Sequence, residues 1–262
     1  MTFGVRQNTA NGWRQSDGTY MVPEFIGKIN ITSAITEAYN GGENNFQVTR
    51  YGGPVPYKGG RGVMIFWTIP DTSNDVWYWP QDQYIYPNTG ESFNAGMDMI
   101  KQLGTATPGT PEGYAFALDF CTKSDANYGR RIWNPDTGKL IFDSGHKLLN
   151  IQQVGTLGFS ASGINSYGFS LPAKPAILIP RIYRDIEDFT GSLDTSNNGN
   201  SEFTEYLGAV RRRGNVIDTR MVLTDNMNAP ASNFGRASYH QDQTYGNING
   251  VFMPVINASL YD

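Results

Sequence analysis

Carboxylates are the first residues whose spacing could do chemistry. Asp185, Glu187 and Asp188 lie in "YRDIEDF", and Glu202 and Glu205 in "SEFTEY". A glycosidase needs two carboxyls about 5–10 Å apart across a sugar cleft. The same residues also read as a solvated acidic face. The stretch "DTSNNGNSEFTE" has the spacing of a calcium loop. Asp194, Ser196 and Asn198 offer side-chain oxygens, Asn200 a carbonyl and Glu205 the twelfth-position carboxylate. Ser201 stands where an aliphatic residue normally sits, and an Asn/Ser-rich surface loop is the competing reading.

The chain has two histidines, His146 and His240, and neither has a partner at metal-ligand spacing. Structural or surface roles follow for both. The only cysteine, Cys121, has no base beside it and reads as a buried thiol. No Gly-x-Ser-x-Gly, phosphate loop or His-Glu-x-x-His occurs. The expectation is a protein that is not an enzyme, with no cofactor unless the loop takes calcium.

Two further groups suit binding. "VWYWPQDQYIY" gathers Trp77, Tyr78, Trp79, Tyr84 and Tyr86. Exposed rings stack on sugars, so this could contact a glycan. Trp77 and Trp79 share strand parity, as do Tyr84 and Tyr86, so each pair equally suits a core face or a subunit interface. In "VRRRGNVI", Arg211, Arg212 and Arg213 precede a Gly-Asn turn. They read as solvated turn charges or as an inter-subunit contact with the acidic "RDIEDFTGSLD" of a neighbouring copy.

The elements that must position these groups are strands. Charged residues are 17% of the 262, below the about 25% usual for soluble domains, while aromatics reach 13% and Gly numbers 30. That mixture favours short strands and many turns. A net charge of -4 argues against nucleic-acid binding through bulk electrostatics. No apolar run approaches the about 20 residues of a membrane-spanning helix, and the polar start carries no signal-peptide core. Strands are expected at 25–32, 46–50, 62–69, 76–79, 114–121, 147–154, 176–183 and 251–260. Residues 207–211 and 216–223 are expected to pair around "RRGN". Pro180 suggests an edge or bulge within 176–183. Phe93, Met97, Ile100 and Leu103 share a helical face, so one helix is expected at 93–103.

"YGRRIWNPDTGKLIFDS", residues 128–144, is the clearest local signal. Pro135 presets φ, Asn134 and Asp136 accept backbone donors, and Gly138 takes the left-handed conformation. A hairpin results, with Leu140 and Phe142 on one face and Ile141 and Asp143 on the other. "FGVRQNTANG", residues 3–12, echoes it and suggests a duplicated hairpin.

The opening "MTFGVR", the apolar "GVMIFWTI" and this hairpin motif together resemble a family of small virion proteins of tailed bacteriophages. Such proteins are encoded among tail-tip, baseplate or tail-fibre genes. The likeness runs in order through residues 1–155 and has no counterpart after Gly155. It implies a β-rich structural or adhesive virion part, made in the host cytoplasm, and it carries over no functional residue. The expected fold is all-β: a β-sandwich-like domain over 1–155 and a β-rich C-terminal region over 156–262. The expected partners are other tail proteins and further copies of the chain. A bacterial-surface glycan is the alternative partner, and glycoside hydrolysis a third reading.

Overall fold

The computed structural model describes residues 5–9, 12–16, 23–41, 44–56, 62–81, 84–85, 94–118, 122–160, 163–179, 183–190, 200–230 and 248–262. The described chain is all-β. From the N-terminus, β1 (Val5–Thr9) and β2 (Gly12–Ser16) pair as a hairpin. β3 (Glu24–Ile29), β4 (Ser33–Gly41), β5 (Asn44–Pro54), β6 (Val63–Thr68) and β7 (Val76–Pro80) follow. Next come β8 (Tyr84–Ile85), β9 (Asn94–Gln102) and β10 (Glu112–Ala117), then the hairpin of β11 (Arg131–Trp133) and β12 (Leu140–Asp143). β13 (Ile151–Phe159), β14 (Asn165–Gly168), β15 (Pro175–Ile177) and β16 (Tyr183–Thr190) lead to the long hairpin of β17 (Asn200–Arg213) and β18 (Val216–Pro230). β19 (Ile248–Asn257) runs into a 3-10 turn at Ala258–Leu260.

Two large antiparallel sheets result. One has seven strands in the order β13-β19-β15-β6-β10-β3, with β8 also on β6. The other has eight in the order β14-β18-β17-β7-β9-β5-β4, with β16 also on β17. They share a core. The seven-stranded sheet supplies Ile65, Trp67, Ala115, Leu157 and Val255, and the eight-stranded sheet Tyr51, Tyr78, Met97, Met99 and Val210. Each large apolar side chain taken fully from water here contributes about 1.5–3 kcal/mol.

Both sheets also bury part of their other face. Phe66, Tyr114 and Phe116 form a second cluster, with Tyr261 edge-on to Phe116 at 5.0 Å. Trp77, Trp79, Ile100 and Val222 form a third. This is why 62–69 reads as one apolar run: Ile65 and Trp67 face the shared core and Phe66 the opposite side. At the β3 edge the sheets approach so closely that a Cβ on Gly53 would lie 1.9 Å from the Asn30 carbonyl oxygen, so only glycine fits.

Three expectations need correction. Residues 93–103 are not a helix, because 94–102 form β9, buried between β5 and β7. Ala95, Met97 and Met99 face the shared core, while Ile100 faces the third cluster. Met97 and Ile100 belong to either period, and two buried faces erase the alternation that would have decided it. The chain is also not divided near Gly155. β6, from the first half, lies between β10 and β15, and β7 lies between β9 and β17. Each large sheet therefore takes strands from both halves. Finally, 176–183 is not one strand: β15 ends at Ile177 and β16 starts at Tyr183, with Pro180 outside the described residues.

Candidate functional site

The 128–144 hairpin is built as its composition requires. Asn134 Oδ1 accepts the Asp136 and Thr137 N–H groups at 2.9 and 3.0 Å. Gly138 has φ +66° and donates its N–H to the Asn134 carbonyl at 2.8 Å. Ile141 and Asp143 are buried, as the alternation indicates. β11 and β12 belong to neither large sheet, and β1–β2, the echoing segment, likewise forms its own two-stranded sheet.

Asp143 holds this hairpin to the preceding loop. Its carboxylate accepts Arg131 Nε at 2.8 Å, the Ser124 N–H at 2.9 Å, the Gly145 N–H at 2.8 Å and the Ser124 hydroxyl at 3.0 Å. Arg131 Nη2 also donates to the Ser124 and Ala126 carbonyls, each at 2.9 Å. Burial alone would raise the Asp143 carboxyl. Arg131 and the two N–H groups outweigh it and hold the group well below the usual carboxylate range. Tyr128 and Trp133 stay outside this network, 90% and 51% exposed.

The hairpin segment docks on β3. Phe25 N–H donates to the Lys147 carbonyl and Leu149 N–H to the Pro23 carbonyl, each at 2.8 Å. Beside them, buried Glu24, His146 and Thr122 meet in an acid–imidazole–hydroxyl arrangement. His146 Nδ1 is 3.3 Å from Glu24 Oε1, and Nε2 is 3.2 Å from Thr122 Oγ1. Nε2 is also only 2.8 Å from the Thr122 carbonyl oxygen, a contact that requires an N–H on that nitrogen. The Thr122 hydroxyl donates to Glu24 Oε1 at 3.2 Å. An N–H on Nε2 directed at that carbonyl leaves the nitrogen no lone pair for the Thr122 proton. The trio joins the hairpin segment to the sheet. His240 and Cys121 lie outside the described residues.

At the β17–β18 turn, Arg211 stands directly opposite Asp218. Asp218 is fully buried. It accepts Arg211 Nε and Nη2 at 3.0 and 2.7 Å, Arg213 Nε and Nη2 at 2.6 and 2.8 Å, and the Ser166 hydroxyl at 2.7 Å. Burial would raise this carboxyl, but Arg213, Ser166 and Arg211 hold it well below the usual range. Arg211 also stacks 4.7 Å from the Trp77 ring and donates to the Asn74 carbonyl. Arg212 donates to the Gly214 and Ile69 carbonyls. All three guanidiniums thus bind groups of their own chain, and Arg213 keeps 42% of its side chain exposed.

The aromatic run is likewise inside. Trp77, Tyr78 and Trp79 are at most 6% exposed, with Tyr78 in the shared core and the two indoles in the third cluster. Rings so enclosed cannot stack on a sugar in this conformation, which removes the glycan reading for these three. Tyr84 lies on β8, and Tyr86 lies outside the described residues. Of the calcium-loop residues, Asp194, Ser196 and Asn198 also lie outside them, while Asn200 and Glu205 are on β17. Five extended steps separate those two by about 17 Å, more than one ion's ligand shell spans. In strand register, Asp185 opposes Glu205, Asp188 opposes Glu202, and Glu187 opposes Phe203. Among the described residues no group of three His, Cys, Asp or Glu could hold a metal ion.

One polar cluster escaped sequence reasoning. Lys174 Nζ lies 2.7 Å from Glu112 and 2.9 Å from Asp262, Lys28 pairs with Asp262, and the Tyr114 hydroxyl lies between the two carboxylates. Lys28 and Lys174 hold the Asp262 carboxyl well below the usual range. These residues come from four separate segments, so no local spacing announces them. Comparison with known protein families, curated proteins and solved structures gave no match.

Proposed function

We propose that this chain is a structural component of a bacteriophage tail, at the tip, baseplate or fibre attachment, working through protein–protein contact without chemistry. The observation that carries the reading is the 128–144 hairpin. It bears the motif that resembles the virion family, stands apart from both large sheets, and is locked by Asp143. It leaves Tyr128 and Trp133 facing solvent. Large exposed aromatics on a pre-ordered element suit an interface, because they bring contact area at small entropic cost. The charged clusters described above bind groups of their own chain, which fits a stable part better than a reacting centre.

The test is assembly. Tyr128→Ala combined with Trp133→Ala, in a chain of unchanged thermal stability, should abolish incorporation into purified particles. Normal incorporation of the double variant removes this reading of the hairpin, and particles that never contain the chain remove the virion assignment. Glycan-array binding lost in the same variant would select a receptor-binding module instead.

A further inference from the structure

The terminal strand β13 differs from the other sheet ends. Its sequence, IQQVGTLGF, has no charge and no proline. Natural edges are usually guarded by charge, shortness or cover. Here β3 is covered by the segment 147–149, β4 carries Glu37, and β14 is only four residues long.

The backbone of β13 shows which groups are free. The Pro254 carbonyl accepts the Leu178 N–H, so residue 254 faces away from β13. Met253 and Val255 therefore face β13, opposite Gly155 and Gln153. Alternation then turns the N–H and C=O groups of Val154 and Thr156 to the outer edge. No partner for them occurs among the described residues. Gly158, next in that series, is already taken: its N–H donates to the Tyr167 hydroxyl at 2.8 Å, and its carbonyl accepts Asn165 Nδ2 at 3.1 Å and the Thr219 hydroxyl. At the other end the register shifts between Ile151 and Gln153. The open ladder is thus short and bounded. Beside it Val154 is 55% exposed, and Phe252, opposite Thr156, is 71% exposed.

We propose that a second copy of this chain covers that edge, β13 pairing antiparallel with β13 about a two-fold axis at Gly155. In this register Val154 meets Thr156 of the other copy and Thr156 meets Val154. Each pair exchanges two backbone hydrogen bonds, so all four free donors and all four free acceptors at these positions are satisfied. An uncharged strand opposes no like charges when it meets itself. Phe252, Thr156 and Val154 of the other copy then lie side by side on one face, and the seven-stranded sheet continues across both copies. The inference goes beyond the assembly reading by naming the surface and register, and rests on it only in taking the chain to work through protein–protein contact.

Sedimentation of the purified full chain tests it. The unmodified chain should reach twice the monomer mass as concentration rises. V154K with T156K puts lysine against lysine at both pairs and should give a monomer with unchanged circular dichroism. V154K with T156E puts lysine against glutamate and should restore the dimer, now weakened by salt. A monomeric unmodified chain at every concentration, or the same mass for both double variants, overturns the proposal. Should a variant fail to fold, hydrogen exchange on the unmodified chain decides. The Val154 and Thr156 amides should slow as concentration rises, and concentration-independent exchange overturns it. A dimer that never enters particles would defeat the virion reading and leave this one standing.

Discussion

Two hairpins use the same device to different ends. At β17–β18 and at β11–β12, a buried aspartate accepts arginine from the strand it pairs with. Asp218 takes two guanidiniums inside an eight-stranded sheet, where Arg211 also stacks on Trp77. Asp143 takes one, from an arginine 23% exposed, and gathers backbone donors from a loop. The first fixes the register of strands that already share a core. The second substitutes for a core that a two-stranded element cannot build alone.

Asp218→Asn should cut deepest, since it strands Arg211 in a buried site. A loss of about 3–5 kcal/mol is expected, read as a fall in the urea midpoint of global unfolding. Asp143→Asn should cost about 1–3 kcal/mol and act locally. Faster amide exchange should appear across 124–146 while β6 and β7 stay protected. Equal, global losses from both variants would erase the contrast.

Acid sharpens it. Both carboxyls have folded values below the ordinary aspartate value of 3.8. Their contribution is therefore complete well above that value and is lost as pH falls through it toward the folded value. The stability gap between the unmodified chain and either variant should narrow progressively below about pH 4, as followed by thermal unfolding from pH 6 to about 2. A gap that stays constant would mean that the carboxylate charge is not what holds the hairpin. The smallest effects belong to the turns. Gly138 and Gly214 have φ of +66° and +58°, with open space where a Cβ would go. Alanine at either should cost about 1–2 kcal/mol, from backbone conformation alone, in chemical denaturation.

The local features were the legible ones. Turn residues announced both hairpins, and the apolar runs at 62–69 and 76–79 announced β6 and β7. The Arg211–Asp218 pair was within reach as well. Once 207–223 folds about Gly214 and Asn215, those residues fall opposite each other. What sequence concealed was which faces were buried. Trp77 and Trp79 shared a face as parity said, but nothing local told that this outer face was covered. Met97 and Ile100 fitted helix and strand alike until both sides of β9 were seen to be enclosed. That the chain is not divided near Gly155 was hidden for a topological reason: a strand's sequence does not state that its neighbours lie more than a hundred residues away.

β19 sits between β13 and β15, in the interior of its sheet. While a ribosome is still making the chain, β6 and β13 have no bridge until residues 248–257 emerge. Ladders closed over such separations form slowly. Nascent copies therefore carry the facing edges of β13 and β15 unpaired from their synthesis until β19 emerges, and exposed strand edges of that kind are prone to mispairing.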